Sequence, residues 1–271
     1  MSMLYSTERL MKKMIILASD FDGTLYQGVK NGSFLPGDIE AIQNFQKDGN
    51  LFGVCTGRPL NAILDATSDR ISYDFYIITS GAMILDKERN ILFQKCLTHH
   101  VLQKILDLYQ DQCAIVVQAD SKIYSFYSAN GMPAKQEIIY SPDELKDTHI
   151  HGISMMCDNE KQAQSISQRL NQQLPNEIRA FQNIQYVDIV AEGCSKGTGM
   201  DFLKHQLPNS LLGGIGDSYN DEPLLKSADV AFTFHHSPKQ IQQYCDHLVA
   251  NVAEAIHIME NISSPKEKNL D

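Results

Sequence analysis

The chain has 271 residues, 43% of them hydrophobic and 21% charged, which excludes a disordered protein and suits one domain with a second inserted into it. Lysine and arginine number 23 against 33 aspartate and glutamate, a net charge of −10 at pH 7 with no basic block. We therefore expect no nucleic-acid partner.

The six cysteines are scattered, without the Cys-x-x-Cys pairs that indicate zinc or a disulfide framework. The apolar run at 14–18 is too short to span a bilayer and lacks the cleavage pattern of a secretory signal. These features predict a cytoplasmic protein with no membrane contact and no obligate protein partner. Residues 1–12 are interpreted as an N-terminal extension and residues 263–271 as a C-terminal tail.

The first part of the chain alternates strands and helices. Apolar runs predict buried strands at 14–18, 51–55 and 75–78, with helical spacing after Pro36 and over 60–66. Such alternation is typical of an α/β protein with a Rossmann-like, doubly wound parallel sheet. The carboxyl ends of these strands are then the expected ligand site.

The middle of the chain has a different pattern, in which short strands mix with helices. Strands are predicted at 91–93, 114–118, 123–127 and 153–157, and helices at 101–109 and 161–174. Strand and helix alternate again after Gly193, with strands at 211–216 and 229–232 and a helix at 252–259. We predict an α+β cap domain at 84–189, inserted into a core formed by 13–83 and 190–262.

A polar loop with two aspartates follows the first predicted strand. Asp20 and Asp22 can face one small site, where their charges repel unless a cation lies between them. Oxygen ligands and a phosphate substrate favour Mg²⁺. A capped turn is the alternative, whereas a calcium loop would need a glutamate at its twelfth position, which is missing.

A similar loop, 216–221, follows a later strand and supplies further oxygen ligands in Asp217, Asn220 and Asp221. The alternative is that Asp217 or Ser218 only caps the helix predicted after this loop.

Two other segments offer groups that suit a phosphoryl oxygen. Thr56 provides a hydroxyl and Gly57 a free amide at the end of a strand, although a plain turn has the same composition. Lys196 could neutralise phosphoryl charge, although most single lysines are solvated surface residues.

These segments together resemble the haloacid dehalogenase superfamily. The chain contains, in the order of that family's four motifs, Asp20-Phe21-Asp22-Gly23-Thr24-Leu25, Thr56-Gly57-Arg58, Lys196-Gly197 and Gly216-Asp217-x-x-Asn220-Asp221. The long insert between the second and third motifs resembles that of the Cof-type phosphatases, subclass IIB, which carry a large α+β cap. The resemblance extends from Met14 to Ile258.

The resemblance implies a role for each motif residue. Asp20 would be the nucleophile, and Asp22 the acid that protonates the leaving oxygen and then the base that activates water. Thr56 and Lys196 would hold the phosphoryl group. Mg²⁺ would be bound by Asp20, by the backbone carbonyl of Asp22 and by Asp217. Asn220 and Asp221 would bind the metal directly, support its ligands or orient the lysine, and the substrate contacts would be Gly57, Arg58, Ser80 and Gly81.

Two segments depart from the family pattern near the expected entrance. Ser80-Gly81-Ala82 stands where many members have Asn-Gly-Ala, and a Gly-Asn-Ala-like stretch is replaced by Phe234-His235-His236-Ser237. His235 and His236 could contact ligand, but loop histidines without a carboxylate partner are more often structural.

The resemblance predicts a Mg²⁺-dependent phosphatase that hydrolyses a small phosphorylated metabolite, a sugar phosphate or a phosphorylated cofactor, through an aspartyl-phosphate. A phosphotransferase or phosphomutase with the same intermediate is one alternative. A catalytically silent binding protein is another, which the complete set of motif residues disfavours.

Overall fold

The structure, a computed structural model, describes residues 13–28, 33–68, 70–126 and 135–263. The predicted N-terminal extension, residues 264–271 of the predicted tail and Tyr127 of a predicted strand lie outside these residues. In the described part of the chain, no helix has the length and apolar composition needed to cross a bilayer. All six cysteines are free thiols.

Strands and helices follow in chain order. They are β1 (Ile15–Ser19), α1 (Asp38–Lys47), β2 (Leu51–Cys55), α2 (Leu60–Thr67), β3 (Phe75–Ile78), β4 (Met83–Asp86), β5 (Ile91–Gln94), α3 (His99–Tyr109), β6 (Ala114–Ala119), β7 (Lys122–Phe126), β8 (Glu137–Ile139), β9 (Ile150–Met156), α4 (Glu160–Gln173), β10 (Ile178–Asn183), β11 (Tyr186–Ala191), α5 (Lys196–Gln206), β12 (Leu211–Ile215), α6 (Glu222–Ser227), β13 (Val230–Phe234), α7 (Lys239–Gln242), β14 (His247–Val249) and α8 (Val252–Ser263). Short 3-10 helices lie at Thr79–Gly81, Pro142–Leu145 and Tyr219–Asp221.

The core is an eight-stranded sheet with the order β14-β13-β12-β1-β2-β3-β4-β5. The six strands from β14 to β3 run parallel, and β4 and β5 are added antiparallel at one edge. Successive strands are added outward on both sides of β1, so the strand order reverses there. The doubly wound parallel core expected from the sequence is confirmed.

Helices cover both faces of this sheet, which explains why its central strands are continuous apolar runs. In β1, Ile15 and Leu17 join a buried cluster with Ile42 and Phe45 of α1. Ile16, from the opposite face, joins a separate cluster with residues of α5 and α6. Because successive side chains of a strand point to opposite faces, five apolar residues in a row indicate a strand buried on both sides.

The cap, residues 97–191, contains the second sheet, with the order β10-β11-β9-β6-β7-β8. Its strand pairs are antiparallel except β7 with β8. Apolar residues of α3 and α4 form one buried cluster with Ile115, Val117 and Ile153 of the sheet. The cap helices among the described residues therefore cover one face of this sheet only, and the α+β insert predicted from the sequence is confirmed.

The sheets change later in the chain than the predicted boundary at residue 84. That residue lies inside β4, and β5, which was predicted as part of the cap, also belongs to the core sheet. Antiparallel strands can be joined by tight turns without a crossover helix, so the strand–helix alternation stops at β3 although the sheet continues. The predicted return to the core at residue 190 likewise lies inside β11, which ends at Ala191.

The chain enters and leaves the cap at adjacent points. Nζ of Lys95, just after β5, donates a hydrogen bond of 2.7 Å to the backbone carbonyl of Glu192, just after β11. The two connecting segments therefore run side by side.

Candidate active site

Three loops meet where the strand order of the core reverses. Asp20 directly follows β1, Thr56 directly follows β2, and Asp217 lies two residues after β12. Because β12 and β2 are the neighbours of β1, their carboxyl ends lie side by side, which is where open parallel sheets bind ligands.

A cavity of about 310 Å³ lies above these loops. It is lined from the core by Asp20, Asp22, Gly23, Thr56, Gly57, Arg58, Pro59, Ala62, Asp217, Ser218 and Asn220, and from the cap by Val116, Gln118, Ile123, Gln136, Ser154, Asn183, Ile184, Tyr186 and Asp188. The helix-free face of the cap sheet thus forms its roof.

Lys196 is held between two carboxylates beneath this cavity. It is the first residue of α5, its side chain is 1% exposed, and its Nζ lies 2.5 Å from Oδ1 of Asp20 and 2.6 Å from Oδ1 of Asp221. Burial alone would lower the pKa of Lys196, but the charges of Asp20 and Asp221 outweigh burial and raise it well above its usual value. Lys196 is therefore a fixed positive charge.

The pKa of the Asp20 carboxyl is raised, chiefly by burial and then by the charge of Asp221, against the lowering effect of Lys196. An ionised Asp20 at this position therefore depends on positive charge close by.

Asp221 has both carboxylate oxygens engaged. Oδ1 accepts from Lys196, and Oδ2 accepts from the backbone amides of Asp217 and Ser218, each at 2.9 Å. A Cβ at Gly216 would lie 2.4 Å from Cγ of Asp221, so glycine is required for this close approach. Of the three roles that the sequence left open for Asp221, this geometry favours orientation of the lysine and of the loop.

The site has the carboxylate oxygens that a divalent cation needs. Asp20, Asp217 and Asp221 each offer an oxygen within 4.8 Å of the others. Asp217 accepts a hydrogen bond of 2.8 Å from Oγ1 of Thr24, and burial together with the charge of Asp221 raises its pKa to about 6. Crowded carboxylates are stabilised by a cation, and an all-oxygen set suits Mg²⁺, so Asp20 and Asp217 fit the ion as ligands. Asp221, whose two oxygens are engaged, would support the site by its charge.

Asp22 lies at the cavity as one half of an ion pair with Arg58. Nε and Nη2 of Arg58 donate to Oδ2 and Oδ1 of Asp22 at 2.7 and 2.6 Å, a bidentate contact. The guanidinium also lies over the rings of Phe21 and Tyr26, at 5.1 and 5.7 Å from their centroids. The side chain of Asp22 is 49% exposed, so it is far more accessible to solvent than that of Asp20.

Ser80 and Gly81 do not line the cavity, although the sequence predicted them as substrate contacts. Thr79, Ser80 and Gly81 have φ values of 47°, 49° and 87°, and this left-handed turn takes the chain from β3 back into β4. The Ser80 amide donates to the carbonyl of Thr56, and its buried Oγ has no hydrogen-bond partner in the described parts of the chain. Ser80 therefore supports the loop of Thr56 from outside the cavity, whereas Gly81 packs against the backbone of Ser195.

The remaining predicted residues fall into two groups. Asp20, Asp22, Thr56, Gly57, Arg58, Asp217 and Asn220 line the cavity, whereas Lys196 and Asp221 lie beneath it. His235 and His236 are exposed and do not line it, and His236 stacks on Phe234 at 5.1 Å, in agreement with a structural role for this loop.

The cap contributes cavity residues that the sequence prediction missed. Gln118 of β6 donates from Nε2 to the carbonyl of Gly57 at 3.0 Å and accepts from Oγ1 of Thr79 at 2.9 Å, so it ties the cap to two core loops. Asp188 of β11 is 8% exposed and accepts a hydrogen bond of 2.7 Å from Oγ of Ser154.

The sequence carries a signal for Asp188. It stands between Val187 and Ile189, so strand alternation would place it on the face opposite those apolar residues.

Residues 17–256 match the family of haloacid dehalogenase-like hydrolases, and the chain belongs to this family. A curated relative, the HMP-PP phosphatase of Yersinia pseudotuberculosis serotype O:1b, is 22% identical over 242 residues, which cover 84% of this chain and 86% of the relative.

Solved structures show the same fold at low sequence identity. A haloacid dehalogenase-like hydrolase from B. subtilis has a TM-score of 0.75 and 20% identity, covering 92% of this chain and 100% of that one. The subclass IIB sugar phosphatase BT4131 has a TM-score of 0.73 and 17% identity, covering 92% of this chain and 99% of that one. The Cof-type, subclass IIB resemblance is therefore confirmed at the level of the fold.

Proposed function

We propose that this hydrolase is a Mg²⁺-dependent phosphatase that cleaves a small phosphate monoester through an aspartyl-phosphate on Asp20. The observation that carries the proposal is the position of Asp20: it is buried, follows the central strand β1, lines the cavity and is held by Lys196 through one oxygen. A fixed carboxylate with a neighbouring cation suits attack on a phosphoryl group, whose negative charge would otherwise repel it.

The proposed reaction has two displacements at phosphorus. A carboxylate oxygen of Asp20 forms a bond to phosphorus while the ester P–O bond breaks, and Asp22 gives its proton to the leaving oxygen. Asp22 then takes a proton from water, the water oxygen attacks phosphorus, and the bond to Asp20 breaks to release inorganic phosphate. Both aspartates return to their starting states.

Asp22 rests as the carboxylate partner of Arg58, so the ion pair must open and Asp22 must take up a proton before it acts as acid. A monoanionic phosphate ester can supply that proton, which leaves again with inorganic phosphate at the end of the cycle. The substrate phosphoryl group is a natural competitor for Arg58, since a guanidinium binds phosphate and carboxylate in the same bidentate manner. Binding of the ester would therefore release Asp22.

Other residues hold the phosphoryl group and the metal. Lys196 would offset its charge, and the hydroxyl of Thr56 would donate to one of its oxygens. Asp20, the backbone carbonyl of Asp22 and Asp217 would hold Mg²⁺, with Asn220 at the same wall of the cavity. When bound, the ion supplies positive charge that offsets the phosphoryl oxygens.

The substrate class follows from the cavity and the relatives. About 310 Å³ suits a small metabolite and excludes a macromolecule from the enclosed part of the site. The named relatives are an HMP-PP phosphatase and a sugar phosphatase. We propose a phosphorylated cofactor or a sugar phosphate as the substrate.

The test is phosphate release from a panel of phosphorylated metabolites, with Mg²⁺ and after chelation. Asp20→Asn should abolish turnover while the circular dichroism spectrum is unchanged, because the amide keeps the shape and loses the nucleophilic charge. Asp201→Asn, an exposed aspartate of α5, is the matched control and should retain wild-type activity. Near-wild-type turnover of Asp20→Asn would rule out the mechanism, and phosphate passed to a sugar instead of water would identify a phosphotransferase.

A further inference from the structure

The roof of the cavity carries a single carboxylate. Of the described cap residues that line the cavity, Asp188 alone is acidic, and none is lysine or arginine. In the register of the sheet Asp188 lies opposite Ser154, and Ser154 lies opposite Val116. Asp188 therefore faces the cavity in a row with a short polar and an apolar side chain.

Asp188 has few hydrogen-bond donors for a buried charge. Oδ1 accepts from Ser154 at 2.7 Å, whereas Nδ2 of Asn183 is 3.5 Å from Oδ2. Burial raises the pKa of Asp188, so its ionised form is costly until further donors reach it.

The basic side chains of the site form ion pairs with carboxylates other than Asp188. Arg58 is paired with Asp22, and Lys196 lies between Asp20 and Asp221. Lys196 acts on Asp188 only through space, where it opposes the rise in pKa, and no basic side chain of the described residues is in hydrogen-bond contact with Asp188. A ligand can supply the missing donors.

The rest of the described roof is mixed. Gln118, Gln136, Ser154 and Asn183 line it with neutral polar groups, whereas Val116, Ile123, Ile184 and Tyr186 line it with apolar surface. A ligand that fills this end must present apolar surface to the apolar side chains and donors to Asp188 at once.

We infer that Asp188 selects substrates whose leaving group carries an amino group or a protonated ring nitrogen beside an apolar body. This inference rests on the proposed function for the phosphoryl end of the ligand, which would lie at Asp20. A leaving group with a carboxylate or other anion at the cap end is disfavoured by the charge of Asp188.

The experiment measures binding, so it does not depend on turnover. The probes are benzylphosphonates, whose P–C bond resists hydrolysis, with a para-aminomethyl, para-hydroxymethyl, para-ethyl or para-carboxymethyl group. Dissociation constants are measured by titration calorimetry at saturating Mg²⁺ for the wild type, Asp188→Asn and the control Asp107→Asn. Asp107 is an exposed cap residue on α3, away from the cavity.

The wild type should bind the aminomethyl probe at least about tenfold more tightly than the ethyl probe, since a charged hydrogen bond in a buried site is worth this much. The carboxymethyl probe should bind most weakly. Asp188→Asn should lose most of the preference for the amine, whereas Asp107→Asn should keep it.

Equal binding of the four probes to the wild type would overturn the inference, and this comparison needs no variant. Hydroxymethyl binding as tight as aminomethyl binding would overturn the choice of nitrogen, and an amine preference that survives Asp188→Asn would overturn the role of Asp188. If the wild type releases phosphate from its esters but shows no amine preference, the inference fails while the proposed function stands. If the wild type prefers the amine probe but releases no phosphate from its esters, the inference stands while the proposed function fails.

Discussion

Replacement of Lys196 by methionine tests the buried charges beneath the cavity. Methionine fills a similar volume without charge, so Asp20 and Asp221, 5% and 0% exposed, would face each other without their shared cation. Removing one partner of a buried ion pair costs about 3–5 kcal/mol, because an uncompensated charge remains. We expect a loss of this size in the free energy of unfolding. Lys204→Met, at an exposed lysine that pairs with Asp229, should cost about 1 kcal/mol or less.

The loss should also depend on pH. Burial and the charge of Asp221 raise the pKa of Asp20, and Lys196 opposes that rise, so the variant should have a still higher pKa. An acid whose pKa is higher in the folded than in the unfolded state binds more protons when folded, so its stability falls as pH rises. The deficit of Lys196→Met should therefore be largest near about pH 8 and shrink toward about pH 5.

The assay is urea unfolding followed by circular dichroism across this pH range, because the chain has no tryptophan. The double variant Lys196→Met with Asp221→Asn should recover part of the loss, since one of the two opposed charges is removed. A loss as small as that of Lys204→Met, or a deficit that grows as pH falls, would refute the reasoning.

Three further predictions follow from the site and the fold. Asp22→Asn should slow both formation and hydrolysis of the aspartyl-phosphate by about 10²-fold in rapid-quench experiments, and unchanged burst and steady-state rates would exclude its acid–base role. Ca²⁺ should inhibit phosphate release at fixed Mg²⁺, because it readily binds both oxygens of a carboxylate and would occupy the attacking oxygen of Asp20; equal turnover in Ca²⁺ alone would contradict this. Gly81→Ala should lower the free energy of unfolding by at least about 2 kcal/mol, since its Cβ would lie 2.0 Å from the carbonyl of Ser195 at a φ of +87°. Gly28→Ala, at a φ of +80° with no atom of a described residue beyond its chain neighbours within 4 Å of the added Cβ, controls for backbone strain and should cost about 1 kcal/mol; equal losses would argue against the steric reason.

The parallel strands of the core could be predicted because helices bury them on both faces. This burial requires uninterrupted apolar runs, and the predicted 14–18, 51–55 and 75–78 differ from β1, β2 and β3 by at most one residue. β5 was assigned to the cap because it follows β4 without a crossover helix, so the strand–helix alternation typical of the core had already stopped. β10 and β11 were missed because polar residues, Asp188 among them, interrupt the apolar runs by which the other strands were predicted.

The core half of the site could be predicted because the topology itself brings loops together. Asp20, Thr56 and Asp217 follow adjacent parallel strands, so their meeting required only the strand order. The cap half depends on how one sheet lies over another, which local sequence does not encode, and Gln118 and Asp188 were missed for that reason. Ser80 was predicted as a substrate contact but does not line the cavity, and its left-handed conformation, uncommon for a residue with a Cβ, could not be predicted from the sequence.

The paired segments at Lys95 and Glu192 have a consequence for how such enzymes diversify. The chain leaves and rejoins the core at adjacent points, where Lys95 contacts both the backbone carbonyl and the carboxylate of Glu192, so an insert with closely spaced ends can be joined there. Asp20, Thr56 and Asp217 belong to the core on either side of this junction and keep their positions when the insert changes. The cap is therefore joined to the core as a separate module, and its sheet, which forms the roof of the cavity, can change in sequence without moving these three core residues.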